Sequence, residues 1–328
     1  MQEGVPITDA REMRDIGTLS ERACAFSPAG ISSFFQICDR NPDGTIIKDS
    51  ERIGARGGGF VISEGVTTEV RLVESGENKI RVFINGRLSP EAETTRAVVE
   101  MLLRRSGENW DVTVSHMLDV PIGAGFGSSA AGALGTALAL GKALDINLTY
   151  NQLGRIAHVA EVECLTGLGT VGPLTLGGCV ITTEPGAPGY AVIDRIPVSS
   201  DHRVVAGVFK PLLTKEMLSS QENRVMIDEW GGRTLDKIVA DPSLDNFMHA
   251  SKEFAVRTGL ASDRVKQLIK LAEKHGAVGA AQNMLGEAVH ALVTIDSVGR
   301  VVQAFESLLP REKIIVAEVD LQGARLVR

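Results

Sequence analysis

Three glycines in five positions, Gly123, Gly125 and Gly127, are followed at once by Ser128, Ser129 and a pair of alanines. A backbone of that composition can curl until several N–H groups converge, and a helix beginning at the serines adds the positive end of its dipole. Together these suit a polyphosphate, and the two hydroxyls stand where they can meet phosphate oxygens or a magnesium ion. The segment lacks the G-x-x-x-x-G-K-S/T of the Walker-type loop, and no acidic residue follows the next strand as in a Rossmann unit, which disfavours both of those nucleotide folds. Taken alone, a pattern this short also fits a tight strand-to-helix connection whose glycines serve only packing.

Such a loop needs a strand to enter it and a helix to leave it. Trp110 to Val120 alternates polar and apolar as a strand and runs straight into Pro121, while Ala133, Leu134, Ala137, Leu138 and Leu140 recur as a helix after it. A second helix spans Tyr150 to Cys164, with Leu153, Ile156, Ala157 and Ala160 on its buried face, and stops at the glycines of Thr166 to Pro173. Upstream, Arg22 to Phe26 reads as a short strand ahead of a turn at Ser27-Pro28-Ala29-Gly30. Val66 to Glu74 and Lys79 to Asn85 flank Ser75-Gly76-Glu77-Asn78 as a β-hairpin. Ser89-Pro90 supplies the cap of a helix that presents Ala97, Val98, Met101 and Leu102 on one face.

Cys179 to Thr182 is a strand, and Glu184 to Gly189 an exposed connection. Beyond it come a strand at Arg203 to Phe209 and helices at Leu244 to Thr258 and Ser262 to His275. A glycine-rich turn follows at Gly276 to Ala281, and a strand at Lys313 to Val319 closes the chain. Two α+β domains are expected, divided as 1–190 and 191–328, since 328 residues exceed the comfortable size of one core.

Composition narrows the function classes. A hydrophobic fraction of 44% with 23% charged residues is that of a folded globular protein. The net charge of −7, with no dense Lys/Arg stripe, gives nucleic acid and anionic membranes little to hold and favours a small-molecule partner. Cys24, Cys38, Cys164 and Cys179 form no C-x-x-C pair and read as reduced thiols. The first twenty residues carry acids and bases throughout, and no stretch approaches a membrane span, so a cytoplasmic location is expected. A homodimer is compatible with all of this.

Pro121-x-Gly123-x-Gly125-Phe126-Gly127-Ser128-Ser129-Ala130-Ala131 resembles the second signature motif of the GHMP kinases, named for galactokinase, homoserine kinase, mevalonate kinase and phosphomevalonate kinase. Pro28 to Phe35 lies where their first motif falls, and Gly276 to Gly279 resembles their third. Within that superfamily, Ala25 to Phe35, Gly54 to Gly59, Thr166 to Val171, and Gly276 to Ala280 with Met284-Leu285-Gly286 look like the archaeal pantoate kinases. The resemblance implies an N-terminal mixed α/β nucleotide-binding domain and a C-terminal ferredoxin-like α+β domain. It also implies ATP and Mg2+ as cofactors and phosphoryl transfer to a small alcohol, pantoate first, on the route to coenzyme A. Homoserine, shikimate or mevalonate remain alternative acceptors, and a catalytically silent nucleotide sensor an alternative role.

Carried over to this chain, the resemblance implies phosphate binding along Pro121, Gly123, Gly125, Gly127, Ser128, Ser129 and Ala130, with the Ser129 hydroxyl on magnesium. Glu161 is the first candidate for the metal's carboxylate and Glu163 the second; two positions apart on a helix, they cannot share a face. Several GHMP enzymes place a catalytic aspartate where Thr170 stands nearest here, and homoserine kinases share its absence. The implied mechanism works without a strong general base, through positioning and charge neutralisation. The pantoate carboxylate calls for a guanidinium. Arg56 is the first candidate and Lys215 the second, with Ser27 and Ser33 on the substrate hydroxyls and Gly30, Gly276 and Gly279 along the substrate's path. His116 and Asp119 read as structural.

Overall fold

The computed structural model describes residues 20–211 and 221–328. Its larger sheet has eight strands. β1 (Ser20–Cys38) and β2 (Gly54–Glu74) run antiparallel along nearly their whole length, from Ser20 opposite Val73 to Cys38 opposite Gly54. Ser27 to Gly30 is therefore no exposed turn. It lies buried inside β1, where the register shifts between Pro28 and Ala29, the kind of irregularity at which a strand accepts proline.

β3 (Lys79–Ile84) is not the hairpin partner of β2. The short β4 (Arg87–Leu88) and helix α1 (Glu93–Ser106) lead into β5 (Trp110–Leu118), which inserts between them, antiparallel to β2 and parallel to β3. Alternation marks a strand but not its partner, and here a helical crossover supplies the partner. α1 begins later than Ser89-Pro90 suggests. Its cap position is Ala92, and it buries Val98, Val99, Leu102 and Leu103.

After the glycine loop come α2 (Ser128–Ala143), α3 (Tyr150–Glu163) and the short α4 (Val171–Leu176). Alanines and glycines let α2 bury nearly its whole circumference, so it sits in the middle of the layer between the sheet and its neighbours. Thr149 and Gln152 close a capping box on α3. β6 (Cys179–Glu184) pairs with the first half of β2 at Gly57 to Phe60, and β7 (Val192–Ile196) pairs with β6. The connection at Pro185 to Pro188 is mostly buried, contrary to the exposed loop expected of its composition, because it packs on Gly54.

The second sheet is formed by β8 (His202–Lys210), β9 (Ala277–Gln282), β10 (Glu287–Thr294) and β11 (Ile314–Glu318) in the order β11-β8-β10-β9. With α7 (Asp263–Lys274) between β8 and β9 and α8 (Ile295–Glu306) between β10 and β11, this is the ferredoxin-like arrangement. Helices α5 (Gln221–Ala240) and α6 (Leu244–Arg257) precede α7. The glycine turn expected at 276–281 is only its first residue; the rest is β9. β12 (Arg325–Val327), and not β11, is the last strand, and it returns to the first sheet beside β1.

The two sheets are not independent bodies. Phe60 and Phe34 of the first meet Phe247 of α6 edge-on, with centroids 5.4 Å and 5.9 Å apart, in a core shared by both halves. A second core lies between the first sheet and α1 to α3, where Val70, Val112 and Val114 face Leu102 and Leu134. No helix among the described residues is long and apolar enough to cross a membrane.

Candidate active site

A cavity of about 440 Å³ opens where the glycine loop, the α3–α4 loop and the glycine strand of β2 converge. Gly127 is the residue before α2, with φ of 59°, and no side chain caps the helix. The first N–H groups of α2 are thus left for a ligand. A Cβ on Gly127 would lie 2.6 Å from the Thr170 methyl, and one on Gly125 would lie 2.9 Å from Asn283 Cβ. The loop is therefore held in shape from both sides, by α4 and by the turn before β10.

Glu161 is 3% exposed. The Thr166 hydroxyl donates to its Oε1 at 2.7 Å and the Ser129 hydroxyl to its Oε2 at 3.3 Å. Gly167 makes room for it, since a Cβ there would sit 2.3 Å from Oε2. Burial pushes the carboxyl up to about 7, and the bonds from Thr166 and Ser129 offset only part of that. Glu163, two residues on, is exposed and off the cavity wall, as the helix periodicity requires. His158 makes no pair with Glu161; its Nε2 meets the carbonyl of Ile53 at 2.9 Å.

Of the other candidates, Gly30, Arg56, Gly123, Gly125, Gly127, Ser128, Ser129 and Thr170 line the cavity. Pro121 and Ala130 do not; Ala130 is fully buried behind the first turn of α2. Ser27 and Ser33 are fully buried in β1 and away from the cavity, Ser27 meeting the carbonyl of Pro28 and Ser33 meeting His290 at 2.9 Å. Gly276 is the turn out of α7, and Gly279 lies in β9, where a Cβ would strike Met248; neither reaches the cavity. What the second half brings to the wall instead is Met284 and Leu285, together with one residue of α5. Lys215 lies outside the described residues. His116 is buried between Thr68 and Thr95, at 2.9 and 3.0 Å, and held down to about 4 by burial, a structural role.

Arg56 donates from Nε to the carbonyl of Thr183 at 2.9 Å and from Nη1 to Gln36 Oε1 at 3.1 Å. No motif pointed to Arg224 of α5 or to Asp39 just after β1, yet both line the cavity and pair with each other. They lie 185 residues apart in the sequence and carry no spacing signal.

A family model of the GHMP kinases N terminal domain matches residues 93–178. The pantoate kinase of Methanocaldococcus jannaschii is 32% identical over 266 residues, 80% of this chain and 89% of that protein. That of Thermococcus kodakarensis is 31% identical over 93% of this chain and 98% of its own length. Among solved structures, a phosphotransferase related to the CoA biosynthesis pathway superimposes with a TM-score of 0.83 at 29% identity, covering 94% of this chain and 99% of that one. A homoserine kinase from Cytophaga hutchinsonii, at 19% identity and a TM-score of 0.68, covers 94% of this chain and 98% of its own and shares the fold.

Proposed function

Because the chain belongs to the pantoate kinases of the GHMP superfamily, we propose that it transfers the γ-phosphoryl group of ATP to the terminal hydroxyl of pantoate. The product is 4-phosphopantoate, for coenzyme A biosynthesis. The observation that carries the reading is the Ser129–Glu161 contact at the uncapped start of α2, inside a cavity that also holds a guanidinium.

The free N–H groups of α2 and the curled backbone from Gly123 to Gly127 take the phosphates. Ser129 Oγ and Glu161 suit Mg2+, being hard oxygen donors side by side. Among the described residues no cluster of three or more His, Cys, Asp or Glu could hold a metal unaided, which fits an ion that is bound through one or two protein groups and the substrate phosphates. Bound there, magnesium neutralises charge on the phosphoryl group being transferred. Thr166 anchors Oε1 of Glu161 and so aims Oε2 at Ser129.

Thr170 presents a hydroxyl and not a carboxylate, and its methyl packs on Gly127 and Gly30. Transfer then relies on alignment of the acceptor hydroxyl, with its proton leaving late. Arg56, with Nη2 uncommitted among the described hydrogen bonds, faces the acceptor's carboxylate. A coupled ADP-release assay with pantoate, homoserine, shikimate and mevalonate tests the proposal. ADP release dependent on pantoate is expected. Preference for another acceptor overturns the substrate, and ATP binding without turnover on any of them overturns the activity.

A further inference from the structure

On the wall of the cavity formed by α5 and the end of β1, Asp39 pairs with Arg224 and lies 4.0 Å from Nε of Arg40. Arg224 donates from Nη2 to both carboxylate oxygens of Asp39, at 2.8 and 2.7 Å. The two side chains are 21% and 28% exposed, shielded from bulk water yet open to the cavity. One turn along α5, Asp228 accepts the backbone N–H of Ile37 at 2.9 Å, which fixes the helix on β1 and fixes Arg224 with it.

A guanidinium holds a ligand carboxylate with whichever of its Nε and Nη donors the protein has not already taken. Arg56 has given Nε to Thr183 and Nη1 to Gln36, so only its Nη2 is left for a ligand. Arg224, among the described residues, commits Nη2 alone. Beside it, Asp39 repels any anion on its own side but accepts a hydrogen bond from a hydroxyl. The pair is thus polarised, with donors at one end and an acceptor at the other. Its complement is a ligand bearing a carboxylate and a hydroxyl on neighbouring carbons.

We propose that the Arg224–Asp39 pair recognises the α-hydroxy-acid end of the acceptor, Arg224 holding the carboxylate and Asp39 the adjacent hydroxyl. The inference rests on the reading of this cavity as the pantoate site, and it makes the 2-hydroxyl a determinant of specificity. A 2-oxo analogue has no proton to give Asp39, and the opposite enantiomer presents its hydroxyl in the wrong direction; a site built to hydrogen-bond a hydroxyl rejects both.

The test is steady-state ADP release by the full chain at saturating ATP and magnesium, with pantoate, its enantiomer and its 2-oxo analogue. Arg224→Lys keeps the charge but loses the fork, and should raise the pantoate KM about tenfold or more while the ATP KM moves less than about twofold. Asp39→Ala should cut the preference for pantoate over the 2-oxo analogue by about tenfold or more. The rival account is a latch that merely ties α5 to β1. The swapped pair Arg224→Asp with Asp39→Arg separates the two: a latch regains both Tm and pantoate KM, whereas recognition regains Tm alone.

An unchanged pantoate KM in Arg224→Lys, or its recovery in the swap, overturns the inference. If the swap does not fold, the split between pantoate and ATP KM in Arg224→Lys decides. A parent enzyme silent with pantoate brings down the functional reading and this one with it; an active parent with indifferent variants brings down this one alone.

Discussion

Ser129 Oγ and Glu161 Oε2 meet at 3.3 Å, although one opens α2 and the other sits in the last turn of α3. Close packing of small residues, Ala130 and Ala133 on one helix and Ala157 and Ala160 on the other, brings them together. Ser129→Ala and Glu161→Gln are each expected to lower kcat at least about tenfold with milder effects on the ATP KM, since the ion proposed at this pair would act on charge developed during transfer. Glu163→Gln, an exposed site, should remain near the parent. Full activity in Glu161→Gln with loss in Glu163→Gln would move the assignment two residues along.

Glu161 also predicts a pH dependence of stability. Its folded value of about 7 stands above the ordinary 4.5, so between those values the folded chain binds more protons than the unfolded one. The cost of burying it is absent below the ordinary value and complete above the folded one, on the order of 3 kcal/mol in all. His116 and His290 act at the acid end. Held down to about 4 and about 3 by burial, they stay neutral in the fold and cost stability as pH falls below the ordinary 6.5. Subtracting Glu161→Gln from the parent in urea titrations without nucleotide or metal isolates the carboxyl. The variant should gain on the parent from about pH 5 to about pH 8, and a flat difference would contradict the burial.

Gly127→Ala adds a side chain to a left-handed residue and drives it into the Thr170 methyl at 2.6 Å. A stability loss of roughly 1–2 kcal/mol is expected from the backbone alone, with a rise in ATP KM of about tenfold. Adding Thr170→Ser removes the methyl and should restore part of the affinity. ATP binding by Gly127→Ala equal to that of the parent, measured by nucleotide titration, would disconnect the loop from the phosphates.

Thr170→Ala asks whether the reaction needs a proton acceptor at that place. A fall in kcat of less than about tenfold is expected, because positioning carries the step. A loss of about a thousandfold would give the Thr170 hydroxyl a direct part in proton transfer.

Arg56→Ala should raise the pantoate KM by about tenfold or more and leave the ATP KM alone, since the proposed phosphate site is the glycine loop at the start of α2. The measurement is a pantoate titration at fixed ATP. No change in pantoate dependence would clear Arg56 of the role and leave the carboxylate wholly to Arg224.

What could be read in the sequence was what local pattern determines. The run from β5 through the glycine loop into α2 and α3 has strong periodicity on either side of residues that only a loop accommodates, and it came out with its boundaries nearly intact. Pairing did not. Nothing within Val66 to Asn85 signals that β5 will enter between its two strands, because that choice is made by the α1 crossover. Ser27 and Ser33 were candidates for the substrate hydroxyls because the segment from Ala25 to Phe35 resembles a family motif, whereas the long pairing with β2 buries them. Gly279 has the composition of a ligand loop but serves the close approach of Met248. Arg224 and Asp39 were invisible for another reason: each is an ordinary surface-type residue until α5 docks on β1.

The return of β12 to the first sheet has a consequence for solubility. Among the described residues, Cys24, Ala25 and Phe26 of β1 find their outer strand partners in Val327, Leu326 and Arg325. Arg325 also stacks on Phe26, 4.8 Å from its ring centre, and pairs with Asp320 at 3.0 Å. Those three residues are a seal. Without them the long β1 would present a bare row of amides and carbonyls, the template on which a second chain adds a strand. Loss of Arg325 to Val327 would open that stretch of edge to a second chain, although none of the three lines the cavity.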